Sequence, residues 1–158
     1  MGSRRRAVRP ASGHTGRMKL TSTQRDMLVT KARDVRLKAY APASKFMVGA
    51  ALLTADGQVF VGCNVENASY GLTICAERSA VCAAVAAGAR EIQAVAVATD
   101  CADPARPCGA CRQVLAEFGA AMEVVMVGSG PDVITTTLDT LLPDPFTFRG
   151  GDLPLTQG

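Results

Sequence analysis

The chain has 158 residues, 48% of them hydrophobic and 20% charged, a balance that suits one domain with a real core and excludes a disordered chain. It contains no apolar run long enough to cross a bilayer and no secretory signal, so no membrane partner is expected and the cytoplasm is the expected location. The formal charge of +3 is uneven: five arginines and no acid fall within residues 1–17, leaving a body of net charge −2 with no basic face for tracking phosphates, and no nucleic-acid partner is expected.

Residues 1–17, MGSRRRAVRPASGHTGR, are predicted to be a disordered N-terminal extension. The stretch has the arginine of a transit peptide without its apolar face, and Arg6 breaks the myristoylation pattern. The only histidine, His14, lies here, so a metal site in the body has to be built without imidazole. Thr21 and Gln24 then form a capping box, and Leu28, Ala32, Val35 and Ala39 follow at helical spacing, predicting a helix over about 21–39. FMVGAALLT and QVFVGCNV flank the turn pair Asp56-Gly57 and read as a hairpin, with Val59, Val61 and Cys63 alternating. The loop ENASYGLT leads to an alanine-rich helix over about 75–87 that Gly88 stops. IQAVAVAT is a third strand, DCADPARP a loop, and CGACRQVLAEFG a helix ended by Gly119. MEVVMVG and DVITTT are further strands, LDTLLP is a short last helix, and residues 149–158 are a tail to a domain over 18–148. Strands alternating with helices imply an α/β sheet whose reactive loops lie past the strands' carboxyl ends.

The chemistry gathers at two helix starts. Six cysteines would suggest disulfides in a small secreted chain; in a core-forming chain without an export signal they point instead to thiolate metal binding. Cys75 opens one predicted helix, and Cys108 and Cys111 open another as a C-x-x-C pair, where the partial positive charge of a helix N-terminus favours the thiolate. Three protein ligands leave a tetrahedral zinc open to water, the mark of a catalytic site; recruitment of Cys101 as a fourth would make the site structural. Glu77 lies two residues from Cys75, the wrong spacing for one helical flank, so Cys75 is expected to point off the helix end. The carboxylate can move protons for a zinc-activated water, or merely stabilise the helix dipole by about 0.3–1 kcal/mol. Three thiolates overcompensate the ion, and Arg78 and Arg112, each directly after a key residue, are candidates to offset them.

CAE followed by PCGAC resembles the signature of zinc nucleoside deaminases. The segments FMVGAALLTADGQVFVGCNVENASYG, CAER, PCGACRQVLAEFG and LLPDPF are similar to the small homotetrameric cytidine deaminases, over roughly residues 20–146. The resemblance implies a three-layer α/β/α fold on a central mixed sheet of about five strands, and hydrolytic deamination of cytidine and deoxycytidine as free nucleosides. It implies Cys75, Cys108 and Cys111 as ligands of Zn2+, Glu77 as proton shuttle and Arg78 as the arginine that offsets thiolate charge. Asn64 and Glu66 match residues that bind ribose hydroxyls, Phe46 an aromatic beside the pyrimidine, and Ala76 a backbone group at the base edge. Neighbouring subunits of a homotetramer would complete each site with Tyr70 and a C-terminal phenylalanine. Spacing from LLP selects Phe146 for that role, whereas spacing back from Asp152 and Leu153 selects Phe148; Phe146 is adopted. Two departures stand out: Ala43 where the family often has tyrosine, and Arg106 for a frequent serine, expected on the loop surface. A deaminase of a related aminonucleoside, such as a nucleoside antibiotic, is the alternative.

Overall fold

In the computed structural model, which describes residues 19–147, helix α1 (Ser22–Arg36) begins where the sequence places its cap. The Thr21 hydroxyl accepts from the Gln24 N–H at 3.2 Å and the Gln24 side chain accepts from the Thr21 N–H at 3.0 Å, the reciprocal bonds of a capping box. The helix stops three residues before the expected 39, because the chain turns so that the Tyr40 N–H can donate to the Asn64 carbonyl at 3.0 Å. The expected extension (1–17) and tail (149–158), and Phe148, lie outside the described residues.

The sheet is built from β1 (Val48–Thr54), β2 (Val59–Cys63), β3 (Ile92–Thr99), β4 (Glu123–Val127) and β5 (Val133–Thr137), in the order β2-β1-β3-β4-β5. Only β3 and β4 run parallel, so the sheet is mixed. Phe46 and Met47 fall outside β1 although the sequence reads as continuous strand, since the Asn64 side chain takes over pairing there, accepting from Val48 N–H and donating to the Phe46 carbonyl, both at 2.8 Å.

Alternation along the strands sorts the core into two layers. Ala50, Leu52, Val95, Val97, Val124 and Met126 face helices α2 (Ala76–Ala86) and α3 (Gly109–Ala116) and the short α4 (Leu138–Leu141). On the opposite face Ala51, Leu53, Ala94, Ala96, Ala98 and Val125 meet Leu28 and Ala32 of α1. The result is the expected three-layer α/β/α arrangement. No helix of the described residues is long and apolar enough to cross a membrane.

Two glycines set how closely the helices approach. A Cβ on Gly49 would run into the Ala32 carbonyl and come within 2.6 Å of the Arg36 nitrogen. One on Gly62 would run into the Ala80 amide nitrogen and come within 2.7 Å of the Ala76 carbonyl oxygen. Gly62 therefore fixes where the first turn of α2 rests on the sheet. Gly62→Ala is expected to cost about 1–3 kcal/mol in denaturant unfolding and to weaken zinc binding, because the obstructed turn carries Cys75; parental stability with parental zinc affinity would show that the turn is free to shift.

Candidate active site

Cys75 and Cys108 are the N-cap residues of α2 and α3, both with extended backbone (ψ 155° and 164°), and neither side chain caps its own helix. Extended geometry at the cap turns the Cys75 side chain off the helix end, as its spacing from Glu77 requires. Cys111 lies in the first turn of α3 and is buried. The two helix N-termini meet at the carboxyl end of β3, and the three sulfurs lie within 4.8 Å of one another. Zinc–sulfur bonds of about 2.3 Å let one ion reach all three, and soft thiolate donors suit zinc. Among the described residues no further histidine, cysteine, aspartate or glutamate joins the group. Cys101 is exposed and outside it, so the structure gives no support to a closed four-cysteine site.

Charge is distributed unevenly over the metal-free triad. The Cys111 thiol, donating to Cys75, does most to hold the Cys75 pKa down to about 5, against burial and with the help of Arg78. The same bond, then burial, pushes Cys111 up. One sulfur is thus a thiolate at neutral pH while a neighbour keeps its proton. The Arg78 guanidinium donates to the Cys75 sulfur at 3.5 Å and to the Thr73 carbonyl at 3.2 Å, which locks it over the thiolate. Glu77 sits in the first turn of α2, 4% exposed, and burial raises its pKa above the ordinary carboxylate range, reinforced by the nearby Cys75 thiolate.

A pocket of about 290 Å³ opens beside the sulfurs. Cys75, Ala76, Glu77 and Cys108 line one side of it, and Phe46, Asn64 and Glu66 line another. Asn64 is oriented by its bonds to residues 46 and 48. Glu66 accepts from the Ala43 N–H at 2.8 Å and from the Ser44 N–H and hydroxyl, and these bonds lower its pKa, the Ser44 hydroxyl foremost. Lys45, at φ 59°, takes the left-handed turn that brings Ser44 to Glu66. Both side chains are therefore fixed before any ligand arrives.

Tyr70 and Phe146 do not line this pocket. Tyr70 is 78% exposed and borders an adjoining cavity with Ala43, Ser44, Glu66 and Thr73. Phe146 is 73% exposed. Arg106, expected only on the loop surface, is exposed but also lines the pocket. Arg112 departs further from expectation: its guanidinium donates to the Pro107 carbonyl at 2.8 Å and the Leu141 carbonyl at 2.9 Å, so it clamps backbone and leaves sulfur compensation to Arg78. Sequence reading missed Gln113, whose amide donates to the Phe146 carbonyl at 2.9 Å and accepts the Phe146 N–H at 3.0 Å. Its place two residues past the C-x-x-C pair, within the family-like segment PCGACRQVLAEFG, was the available signal.

Comparison with known proteins agrees with this geometry. Residues 22–128 match the family model described as the cytidine and deoxycytidylate deaminase zinc-binding region. The chain belongs to that family. It is 50% identical over 124 residues to a cytidine deaminase of Halalkalibacterium halodurans, covering 78% of this chain and 94% of that one. A cytidine deaminase of Sporosarcina psychrophila is 46% identical over 123 residues, covering 77% and 90%. Among solved structures, the cytidine deaminase of Burkholderia pseudomallei superposes with a TM-score of 0.75 at 52% identity, covering 80% of this chain and all of that one. The Mycobacterium tuberculosis cytidine deaminase follows with a TM-score of 0.69 at 43% identity, covering 77% and 96%. A zinc-binding family and a three-sulfur cluster make zinc the metal of this deaminase site.

The proton on Cys111 gives a direct check. It is present in the metal-free protein and must leave when zinc binds, so binding releases protons at pH 7 and strengthens as pH rises. Below about pH 5 Cys75 is protonated too, and the slope of log affinity against pH steepens by one. Titration calorimetry in buffers of different ionisation enthalpy measures the release; zinc affinity independent of pH would contradict the shared-proton triad.

Proposed function

We propose that this protein hydrolyses cytidine and deoxycytidine to uridine and deoxyuridine with release of ammonia. The observation that carries this reading is the buried Glu77 carboxylate beside three converging sulfurs at the wall of a nucleoside-sized pocket. Cys75, Cys108 and Cys111 would hold the zinc, which when bound acts as a Lewis acid that lowers the pKa of water at its open position. Glu77, destabilised as an anion by burial, is primed to take up a proton. It delivers protons to the ring nitrogen beside the reacting carbon and then to the departing amine, one water being consumed for each ammonia released. Arg78 helps to keep Cys75 anionic. Asn64 and Glu66 receive the ribose hydroxyls, Phe46 packs beside the pyrimidine, and the first turn of α2 presents the Ala76 backbone to the base edge.

The catalytic domain spans 18–148 in this reading, and four copies assemble so that Tyr70 and Phe146 complete sites in neighbouring subunits. Support comes from the exposed side chains near the pocket: Tyr40, Val65 and Ile74, joined by isolated bridges, with Tyr70 and Leu72 on the adjacent 3-10 turn. Burial of such a group is the ordinary driving force for self-association. All six cysteines are free, which fits a reducing cytoplasm. The relatives described above are named cytidine deaminases, and nothing in the site favours an antibiotic nucleoside instead.

Glu77→Gln is expected to keep zinc and fold while losing at least about 100-fold in ammonia release from cytidine. A variant with parental turnover would remove Glu77 from the mechanism, and parental activity on guanine or an aminonucleoside antibiotic but none on cytidine would reassign the substrate.

A further inference from the structure

Beyond Leu142 the chain runs Pro143-Asp144-Pro145-Phe146 without regular structure and mostly exposed. Proline has no backbone N–H, so within this stretch only Asp144 and Phe146 have one to donate. Gln113 takes both backbone groups of Phe146. Its side-chain amide donates to the Phe146 carbonyl at 2.9 Å and accepts the Phe146 N–H at 3.0 Å, across 33 positions of sequence. A primary amide can do this because it carries a donor and an acceptor side by side. A single bond would let the segment pivot; a pair that holds the groups on either side of one Cα constrains the direction in which the ring leaves the chain.

The core of this subunit gains little from the arrangement. The Phe146 side chain belongs to a residue that stays 73% exposed, and ordering an exposed segment costs conformational entropy that buried apolar area usually offsets. The anchor is also specific in place. Gln113 stands two residues past Cys111 on α3, the helix that Cys108 caps. Its neighbour Arg112 donates to the Leu141 carbonyl at 2.9 Å, so α3 holds the segment at both ends. A ring held in place yet left largely uncovered is explained when it serves a surface outside its own subunit.

We propose that Gln113 is a positioning residue for nucleoside binding, its amide fixing the backbone of Phe146 so that the exposed ring is presented to the pocket of a neighbouring subunit; this rests on the reading of Phe146 given above. The helix that carries two zinc ligands in one subunit thereby sets nucleoside affinity in another. Substrate and product are held alike, so the effect falls on affinity rather than on the chemical step.

Gln113→Met keeps the length of the side chain and a good helix former while removing both bonds, and it is compared with Phe146→Ala in the zinc-loaded full chain. Gln113→Met is expected to raise the KM for cytidine and the dissociation constant for uridine together, by roughly fivefold, with kcat, Tm, zinc content and assembled mass near parental. Phe146→Ala is expected to raise both at least as far, and adding Gln113→Met to it to change little more, since the two act through one ring. Co-assembly with an excess of Glu77→Gln subunits, which turn over little but keep Gln113, is expected to return the KM of the Gln113→Met sites toward parental, because the neighbour then supplies the ring. Parental KM and uridine affinity in Gln113→Met, with Phe146→Ala impaired, overturn the proposal alone. So do an additive double variant, a KM that co-assembly leaves raised, which places the effect in Gln113's own subunit, and a loss of Tm or zinc, which assigns the residue to the fold. Parental uridine affinity in Phe146→Ala overturns the proposal together with the reading of Phe146 on which it rests.

Discussion

The convergence of two helix N-termini on one point at the carboxyl end of β3 is the constraint on which the rest of the structure depends. Three sulfurs within 4.8 Å are an unfavourable arrangement for thiolates without a cation. The metal-free protein answers with a shared proton: Cys75 is anionic, Cys111 keeps its hydrogen, and Arg78 covers the thiolate. Such a triad is poised for a divalent ion, because zinc displaces the proton on Cys111 and removes the repulsion that this proton only partly relieves. The close contact of Gly62 with Ala76 and Ala80 keeps Cys75 within reach of the pair on α3.

The same end of the sheet builds the pocket by a different device. Where β1 begins, side chains replace backbone pairing: Asn64 bridges residues 46 and 48, and Glu66 holds the amides of Ala43 and Ser44. These polar residues are structural before they are ligand-facing. Replacing Asn64 would therefore disturb the wall that carries Phe46 as well as remove a hydrogen-bonding group. Arg112 and Gln113 extend this logic across the molecule, tying the metal-binding helix to the chain on either side of it, from Pro107 to Leu141 and Phe146.

Much of this was legible in the sequence where local chemistry decides the outcome. The Thr21–Gln24 cap, the strand alternation and the placement of three cysteines at two helix starts are all short-range signals, and they coincide with the structure. What could not be read depends on partners distant in the chain. The end of α1 is set by Tyr40 meeting Asn64, and the start of β1 by an asparagine sixteen residues away. Arg112 beside a ligand cysteine looks, in one dimension, like Arg78 beside Glu77; only the positions of Pro107 and Leu141 show that its guanidinium is spent on carbonyls. Arg106 reads as a surface residue because exposure and pocket lining are not exclusive.

The central claim is that three cysteines hold one zinc and leave a position for solvent. X-ray absorption at the zinc edge, on the full chain loaded with one equivalent of metal, addresses it most directly. The account predicts three sulfur scatterers at about 2.3 Å and one oxygen at about 2.0–2.2 Å, with loss of a sulfur shell component in Cys75→Ser. Four sulfurs around the ion, or an unchanged sulfur shell in Cys75→Ser, would contradict it.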